Sequence, residues 1–344
     1  MAGWKILPAI SAGNTIVIKP SELTPSTTLM LAEACTAAGI PDGVVNVVLG
    51  PGRSVGQSLV GHSDVNMVSF TGSTQVGVNV MRTAAERACR THLELGGKAP
   101  FVVFDDADLE AAAQGAVAGT LINTGQDCTA ATRAYVQRPL FDSFVDRVQT
   151  IMQSIKLGDT SSPETDLGPL ISTTHQEQVA GMVDRARAAG GKIHCGGEIP
   201  ADADLRNGSY YLPTLVTGLD QKAEIVQEEV FGPVLVALPF DTEEEGLALA
   251  NDTRYGLAAS VWTTNVFRAM RGVKTIQAGC VWVNDHIPII SEMPHGGYKA
   301  SGFGKDMATY SFDEYTNIKH VMLDLEGEDE KDWHRTIFRR RTSE

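Results

Sequence analysis

Short β-branched runs alternate with segments of helical length over the first hundred residues, and few folds accept that rhythm. Thr15-Ile16-Val17-Ile18 reads as a strand; a helix is predicted over 27–38, and Gly39, Pro41 and Gly43 break it. A strand over 44–49, a helix over 54–60 and a strand over 66–70 follow, and the next helix opens at Gly72-Ser73-Thr74. Strands alternating with helices of this size imply βαβ units and a parallel sheet. The predicted fold is therefore α/β and doubly wound, with ligands at the carboxyl ends of the strands. After Glu94-Leu95-Gly96-Gly97 the pattern restarts: a strand over 101–104, then a helix capped by Asp106 or Asp108. Further strands are expected at 134–137, 234–238, 258–263 and 280–283, and helices at 139–155, 174–189, 242–252 and 266–274. The Gly-Gly pair is the expected crossing between a first domain, 1–95, and a second, 96–300. A segment over 301–325 and a polar tail over 326–344, ending near Arg339-Arg340-Arg341, complete the chain.

The chain has 344 residues, beyond the size at which a single core stops growing, so two domains are the default. A net charge of -14 argues against nucleic acid, whose phosphates need clustered Lys and Arg. Five cysteines, at 35, 89, 128, 195 and 280, are too few and too scattered for a disulfide framework or zinc-ligand spacing. They suit a reducing compartment, and a cytoplasmic location is expected. No apolar stretch approaches the roughly 18 residues of a membrane span, and no metal site is expected.

Four features carry candidate chemistry. Cys128 lies in Asn123-Thr124-Gly125-Gln126-Asp127-Cys128-Thr129-Ala130, between a helix and a strand, among small and polar neighbours. A free cysteine is most often inert core, and composition alone leaves that alternative open. Glu94 ends an apolar strand ahead of Gly96-Gly97; partial burial there would raise its pKa and make it a base near neutrality, whereas a surface Glu would do nothing. Gly72-Ser73-Thr74-Gln75-Val76-Gly77 joins a strand to a helix whose free N–H groups suit a pyrophosphate, although it is neither a P-loop nor GxGxxG. Lys19-Pro20-Ser21-Glu22 follows the first strand; a Glu there suits ribose hydroxyls, and the same residues also make a serviceable helix start.

Taken in order, these stretches resemble the aldehyde dehydrogenase superfamily from Met1 to about Leu325. The resemblance adds Leu93-Glu94-Leu95-Gly96-Gly97-Lys98, Glu228-Glu229-Val230-Phe231-Gly232-Pro233, Asn284, and Gly296-Gly297-Tyr298-Lys299 with Ser301-Gly302. It implies a Rossmann-type NAD-binding domain, here partial, a catalytic domain, and NAD-dependent oxidation of an aldehyde to its acid. Cys128 would be the nucleophile and Glu94 the base that activates water. Lys19 and Glu22 would meet the adenosine ribose, Gly52, Gly72, Ser73 and Gly77 the pyrophosphate, and Leu95, Glu229 and Phe231 the nicotinamide riboside. The segment near 318–325 would pair subunits as a strand, so a homo-oligomer is expected.

The loop Asn284-Asp285-His286-Ile287-Pro288 with Ser291-Glu292-Met293-Pro294-His295 resembles the aminoaldehyde branch, particularly 4-aminobutyraldehyde dehydrogenases. Asp285 and Glu292 would place negative charge near a substrate ammonium. Betaine aldehyde is the alternative, and its quaternary ammonium would favour aromatic faces such as Trp282 and Tyr298. Members of this family carry a longer N-terminal stretch containing a central strand and a Pro-Trp-Asn oxyanion donor, neither of which is in this sequence. The expectation is thus a partial cofactor sheet with open edges. Two readings stand side by side: an incomplete sequence of an ordinary enzyme, or a catalytically poor remnant acting as an interaction subunit.

Overall fold

The computed structural model describes residues 1–325, 327 and 331–337; Arg339-Arg340-Arg341 and most of the predicted tail lie outside them. The strands are β1 (Ile16–Ile18), β2 (Val45–Val47), β3 (Met67–Thr71), β4 (Arg90–Glu94), β5 (Ala99–Val103), β6 (Ala131–Gln137), β7 (Lys192–Cys195), β8 (Thr214–Thr217), β9 (Val234–Phe240), β10 (Ala258–Trp262), β11 (Cys280–Val283) and β12 (Gly302–Phe303). Seven of them form one sheet in the order β11-β10-β5-β6-β9-β8-β7, parallel except at the β7 edge.

This sheet is buried on both faces, as its near-continuous apolar runs require. Side chains alternate across it. Phe101, Val103, Ala134 and Val136 meet Ala112, Ala116, Phe144 and Val148 of the helices Leu109–Leu121 and Arg138–Ser154. Val102, Tyr135 and Val236 point the other way, to Val179, Val183, Leu247 and Ala250 of Thr173–Ala188 and Glu243–Asn251. Of the two predicted caps, Asp108 accepts the Ala111 N–H and opens Leu109–Leu121. Asp106 instead accepts from Thr263, Thr264, Asn265 and Arg268. The edge strand β7 and its neighbour β8 had no counterpart in the sequence reading.

The N-terminal strands are arranged differently. β1 pairs only with β2, in parallel, while β3 pairs with β4 and β12 joins β4 antiparallel. No ladder connects the two groups among the described residues, so the doubly wound unit is present as two pieces. Its strands are accordingly less protected: β3 is half-buried along its whole length, and Val17 of β1 is exposed. The chain leaves the small sheet and enters the large one across Leu95–Lys98.

It also returns. β12 lies against Leu93 and Glu94, and the helix Ala308–Glu314 packs on the first helix, Ala2–Ser11. The predicted subunit-pairing segment therefore begins by closing onto the N-terminal part of its own chain. Its expected strand near 318–325 is not formed; Ile318, Val321, Met322, Leu323 and Leu325 are exposed with no strand beside them. A strand needs a ladder partner, and the single chain offers none there. No helix among the described residues is long and apolar enough to cross a membrane.

Candidate active site

Cys128 sits on a turn assembled from strained backbone. Asn123, Thr124 and Gly125 follow one another at φ 48°, 59° and 71°, the left-handed region that costs ordinary residues energy. Gly125 has no alternative, because a Cβ would collide with the Gly232 carbonyl. Asp127 then closes the turn over the cysteine: its Oδ1 accepts from the Thr129 N–H at 2.8 Å and the Thr129 hydroxyl at 2.6 Å.

Glu94 reaches the same place from the end of β4. The seam between them is the glycine pair. A Cβ at Gly97 would strike the Cys128 carbonyl, and one at Gly96 would strike the Glu229 carboxylate. The Gly97 N–H donates to Glu229 Oε1 at 2.8 Å. Thus the end of β4, the cysteine turn and Glu229 meet because residues 96 and 97 have no side chains.

The electrostatics are those of a buried, crowded anion site. Burial, then the charges of Asp127, Glu94 and Glu229, push the Cys128 thiol far above its ordinary range, so the resting group is a protonated thiol. Glu94 is only 3% exposed, and burial first, Asp306 second, raise its carboxyl to about 8, against the pull of Lys5 and Lys305. The two shifts share their largest cause, burial, which disfavours the ionised form of either group. Moving a proton from sulfur to Glu94 keeps the number of negative charges constant.

Several neighbours of Glu94 escaped the sequence reading. His92, two residues earlier on the same strand face, places Nε2 3.5 Å from Glu94 Oε1, and its Nδ1 is 3.2 Å from the Ser69 hydroxyl. Strand period two could have flagged it. His295 Nε2 lies 3.9 Å from Glu94 Oε2, and its ring meets Trp4 at 5.1 Å. Lys5 donates to Asp306 at 2.6 Å, a buried ion pair 301 residues apart in sequence that no local pattern announces. His92 Nε2, both Glu94 oxygens and Asp306 Oδ1 are buried without a hydrogen-bond partner among the described residues. Native proteins rarely leave so many such atoms together, and chemistry is one reason to do so. These three residues offer ligand atoms within 4.8 Å of one another, but the Lys5 ammonium already supplies the cation there.

The residues expected to hold a dinucleotide are distributed along the carboxyl ends of β1, β2, β3 and β4. Lys19 donates to the carbonyls of Pro20 and Gly50, and Glu22 is exposed. Gly52 opens a π-helical turn with free space where a Cβ would stand. Gly72 bonds the Glu94 carbonyl, and Ser73 caps the helix Thr74–Ala85. Gly77 lies buried in that helix, where any Cβ would run into the Leu95 side chain; its role is helix-to-strand packing, away from the open helix start. Leu95 is buried, and its N–H donates to Ser301. Phe231, at φ 55°, keeps its ring exposed while its carbonyl takes the His175 Nε2 at 2.6 Å. An open glycine turn, an exposed helix start, an exposed ring and Glu229 make a donor set and cradle that fit an extended anionic dinucleotide.

The substrate candidates stand apart. Asp285 is exposed and accepts its neighbour's His286 N–H at 2.8 Å; Glu292 is exposed on the same loop. Neither is among the carboxylates that act on Cys128.

Residues 1–321 match the model of the aldehyde dehydrogenase family. Betaine aldehyde dehydrogenase of Bacillus subtilis is 44% identical over 320 residues, 93% of this chain and 65% of that protein. A crystal structure of a betaine aldehyde dehydrogenase variant from Staphylococcus aureus, in complex with NAD+, superposes with TM-score 0.92 at 41% identity, covering 93% of this chain and 65% of the other. A putative aldehyde dehydrogenase from Burkholderia cenocepacia gives TM-score 0.90 at 41% identity, with 91% and 64% covered. The chain spans about two thirds of the length of these relatives. With residues 1–321 covered by the family model and the fold shared with these relatives, the chain belongs to the aldehyde dehydrogenase family.

Proposed function

We propose that this chain carries the chemistry of NAD-dependent oxidation of a small aldehyde to its carboxylic acid. The observation that supports it most is the contact of the Cys128 turn with Gly97, which sets a thiol and the buried carboxylate of Glu94 on one seam. Glu94, with a pKa near 8, takes the thiol proton as the sulfur adds to the carbonyl carbon, giving a thiohemiacetal. The Cys128 backbone N–H faces the developing oxyanion. Glu229, Phe231, Ser73, Gly72 and Gly52 hold NAD, with Lys19 and Glu22 at its adenosine end. When bound, NAD accepts the two electrons lost as the thiohemiacetal becomes a thioester. Once Glu94 has released the thiol proton to solvent, water attacks the thioester and Glu94 takes a proton from it; that proton then passes to the departing sulfur, leaving the acid and a Cys128 thiol.

For the substrate we propose an ω-aminoaldehyde such as 4-aminobutyraldehyde, with Asp285 and Glu292 on the loop that meets its ammonium. Betaine aldehyde is the second reading, favoured by the names of the relatives and by the half-buried Trp4 face beside His295. A homo-oligomer is expected through the exposed apolar segment 318–325. The test is a kinetic screen of both aldehydes with NAD, on this chain and on Cys128→Ala and Glu94→Gln. Cys128→Ala should abolish turnover, and Glu94→Gln should slow acylation and hydrolysis alike, so that whatever thioester forms persists as an acyl-enzyme visible by intact mass. Turnover that survives Cys128→Ala refutes the assignment.

A further inference from the structure

The turn that presents Cys128 is tied to a second part of the molecule through a histidine with no place in the chemistry above. His286 is buried at the root of the loop after β11, its ring packed against Trp282 at 4.9 Å and Phe101 at 5.8 Å. Both ring nitrogens are engaged. Nδ1 is 2.9 Å from the Ser260 hydroxyl on β10, and Nε2 is 2.8 Å from the carbonyl oxygen of Thr129, the residue after the cysteine.

The direction of every link in this chain is forced. The Thr129 carbonyl has no proton to give, so Nε2 must carry one and donate it. In the neutral ring Nδ1 is then the acceptor, so the Ser260 hydroxyl donates to it. The Ser260 oxygen in turn accepts the Trp262 indole N–H at 3.2 Å, and an indole can only donate. The series runs Trp262 to Ser260 to His286 to Thr129, with one tautomer permitted. The ring stays neutral because burial holds its pKa at about 4.

We infer that His286 is a positioning residue for the cysteine turn, its Nε2–H holding the Thr129 carbonyl and so fixing the backbone on which Cys128 stands. This rests on the reading of Cys128 as the nucleophile. The turn needs such a hold. Three consecutive left-handed residues precede it, and strained backbone persists only where its surroundings over-determine it. Asp127 anchors Thr129 from one side through its N–H and hydroxyl; His286 anchors the carbonyl from the other. Two residues on, the Ala131 carbonyl accepts the buried Thr120 hydroxyl at 2.6 Å.

His286 also belongs to the loop that carries Asp285. Its own N–H bonds Asp285, and the Trp282 indole pins Pro288 at 3.0 Å. A shift of that loop therefore reaches the cysteine through a single imidazole. Packing alone would be satisfied by phenylalanine, which has the ring without the donor.

The experiment measures alkylation by iodoacetamide of the Cys128 peptide relative to the Cys280 peptide, by mass spectrometry. It uses wild type, His286→Phe, His286→Gln and Ser260→Ala, with thermal melting alongside. His286→Phe should change the Cys128-to-Cys280 rate ratio about fivefold, the worth of one neutral hydrogen bond. His286→Gln, whose amide N–H can still donate to Thr129, should restore it to within about twofold. A folded His286→Phe with an unchanged ratio, or a glutamine variant no better than phenylalanine, overturns the proposal. If His286→Phe does not fold, Ser260→Ala decides: the ring then loses the hydroxyl that anchors Nδ1 and fixes its orientation, and an unchanged ratio refutes the proposal. Should wild type oxidise no aldehyde while the ratio responds as stated, positioning stands and the nucleophile reading falls.

Discussion

Replacing Asp306 by Asn removes the carboxylate that, after burial, does most to raise Glu94. The two side chains and His92 present atoms within 4.8 Å of one another. At that separation and an effective dielectric near 20, two unit charges repel by about 3.5 kcal/mol, or about 2.5 pH units. Asp306 is itself pushed up by burial and so does not carry a full charge throughout, which trims the effect. The Lys5 ammonium stays and, no longer neutralised, keeps pulling Glu94 down. The base should therefore titrate about two pH units lower, moving the acid limb of kcat/KM from near 8 to near 6. The sign follows from the role: a base works unprotonated, so the rate climbs with pH below its pKa and is flat above.

Melting gives a check that needs no turnover. A carboxyl raised from 4.5 to about 8 on folding contributes stability that is present below pH 4.5 and lost as pH rises through 8. Wild type should lose melting temperature between pH 6 and 9 more steeply than Asp306→Asn. An acid limb unmoved or shifted upward, with parallel melting curves, would show that Asp306 does not set the charge of Glu94.

Three further outcomes are expected. Lys98 is fully buried with no hydrogen-bond partner for its amine among the described residues, and burial lowers its pKa to about 7; Lys98→Met should stabilise the chain by about 1–3 kcal/mol at pH 6, by chemical denaturation, with the gain shrinking as pH rises from 7 to 10.5 because the native lysine is neutral there. Burial holds His92 at about 3 and His286 and His295 at about 4, so each contributes stability above pH 6.5 that is lost as pH falls through the folded value, at up to about 1.4 kcal/mol per pH unit per ring; denaturation midpoints should drop steeply below pH 6, and a flat profile to pH 4 contradicts the burial. Gly97→Ala drives a methyl into the Cys128 carbonyl and should cost about 1–3 kcal/mol of stability and displace the turn, whereas Gly52→Ala, with open space at that position, should leave melting unchanged.

What the sequence made legible was whatever is encoded within one element. The apolar run of β5 and the helical spacing in the segments that cover it announced a layered α/β sheet, and the motif around Glu94 announced a carboxylate at a strand end. The strands Lys192–Cys195 and Thr214–Thr217 escaped: unlike the equally short but wholly apolar Cys280–Val283, each mixes polar and apolar residues over four positions, too few to show a period. Gly77, expected at the pyrophosphate, shows a subtler limit: the motif placed it in the first turns of a helix, and only the Leu95 side chain against it reveals that the position also packs.

The residues that tune the base were illegible for a stronger reason. Lys5 and Asp306 lie 301 positions apart and meet because helix Ala2–Ser11 and the return after β12 close on the same end of β4. Neither is unusual in its local context. The pKa of Glu94 is thus a property of chain closure rather than of the motif that contains it, and any change that loosens the return should move the base before it unfolds the sheet. Helix Ala308–Glu314 is where that can be separated, because it packs on the first helix and lies outside the seven-stranded core.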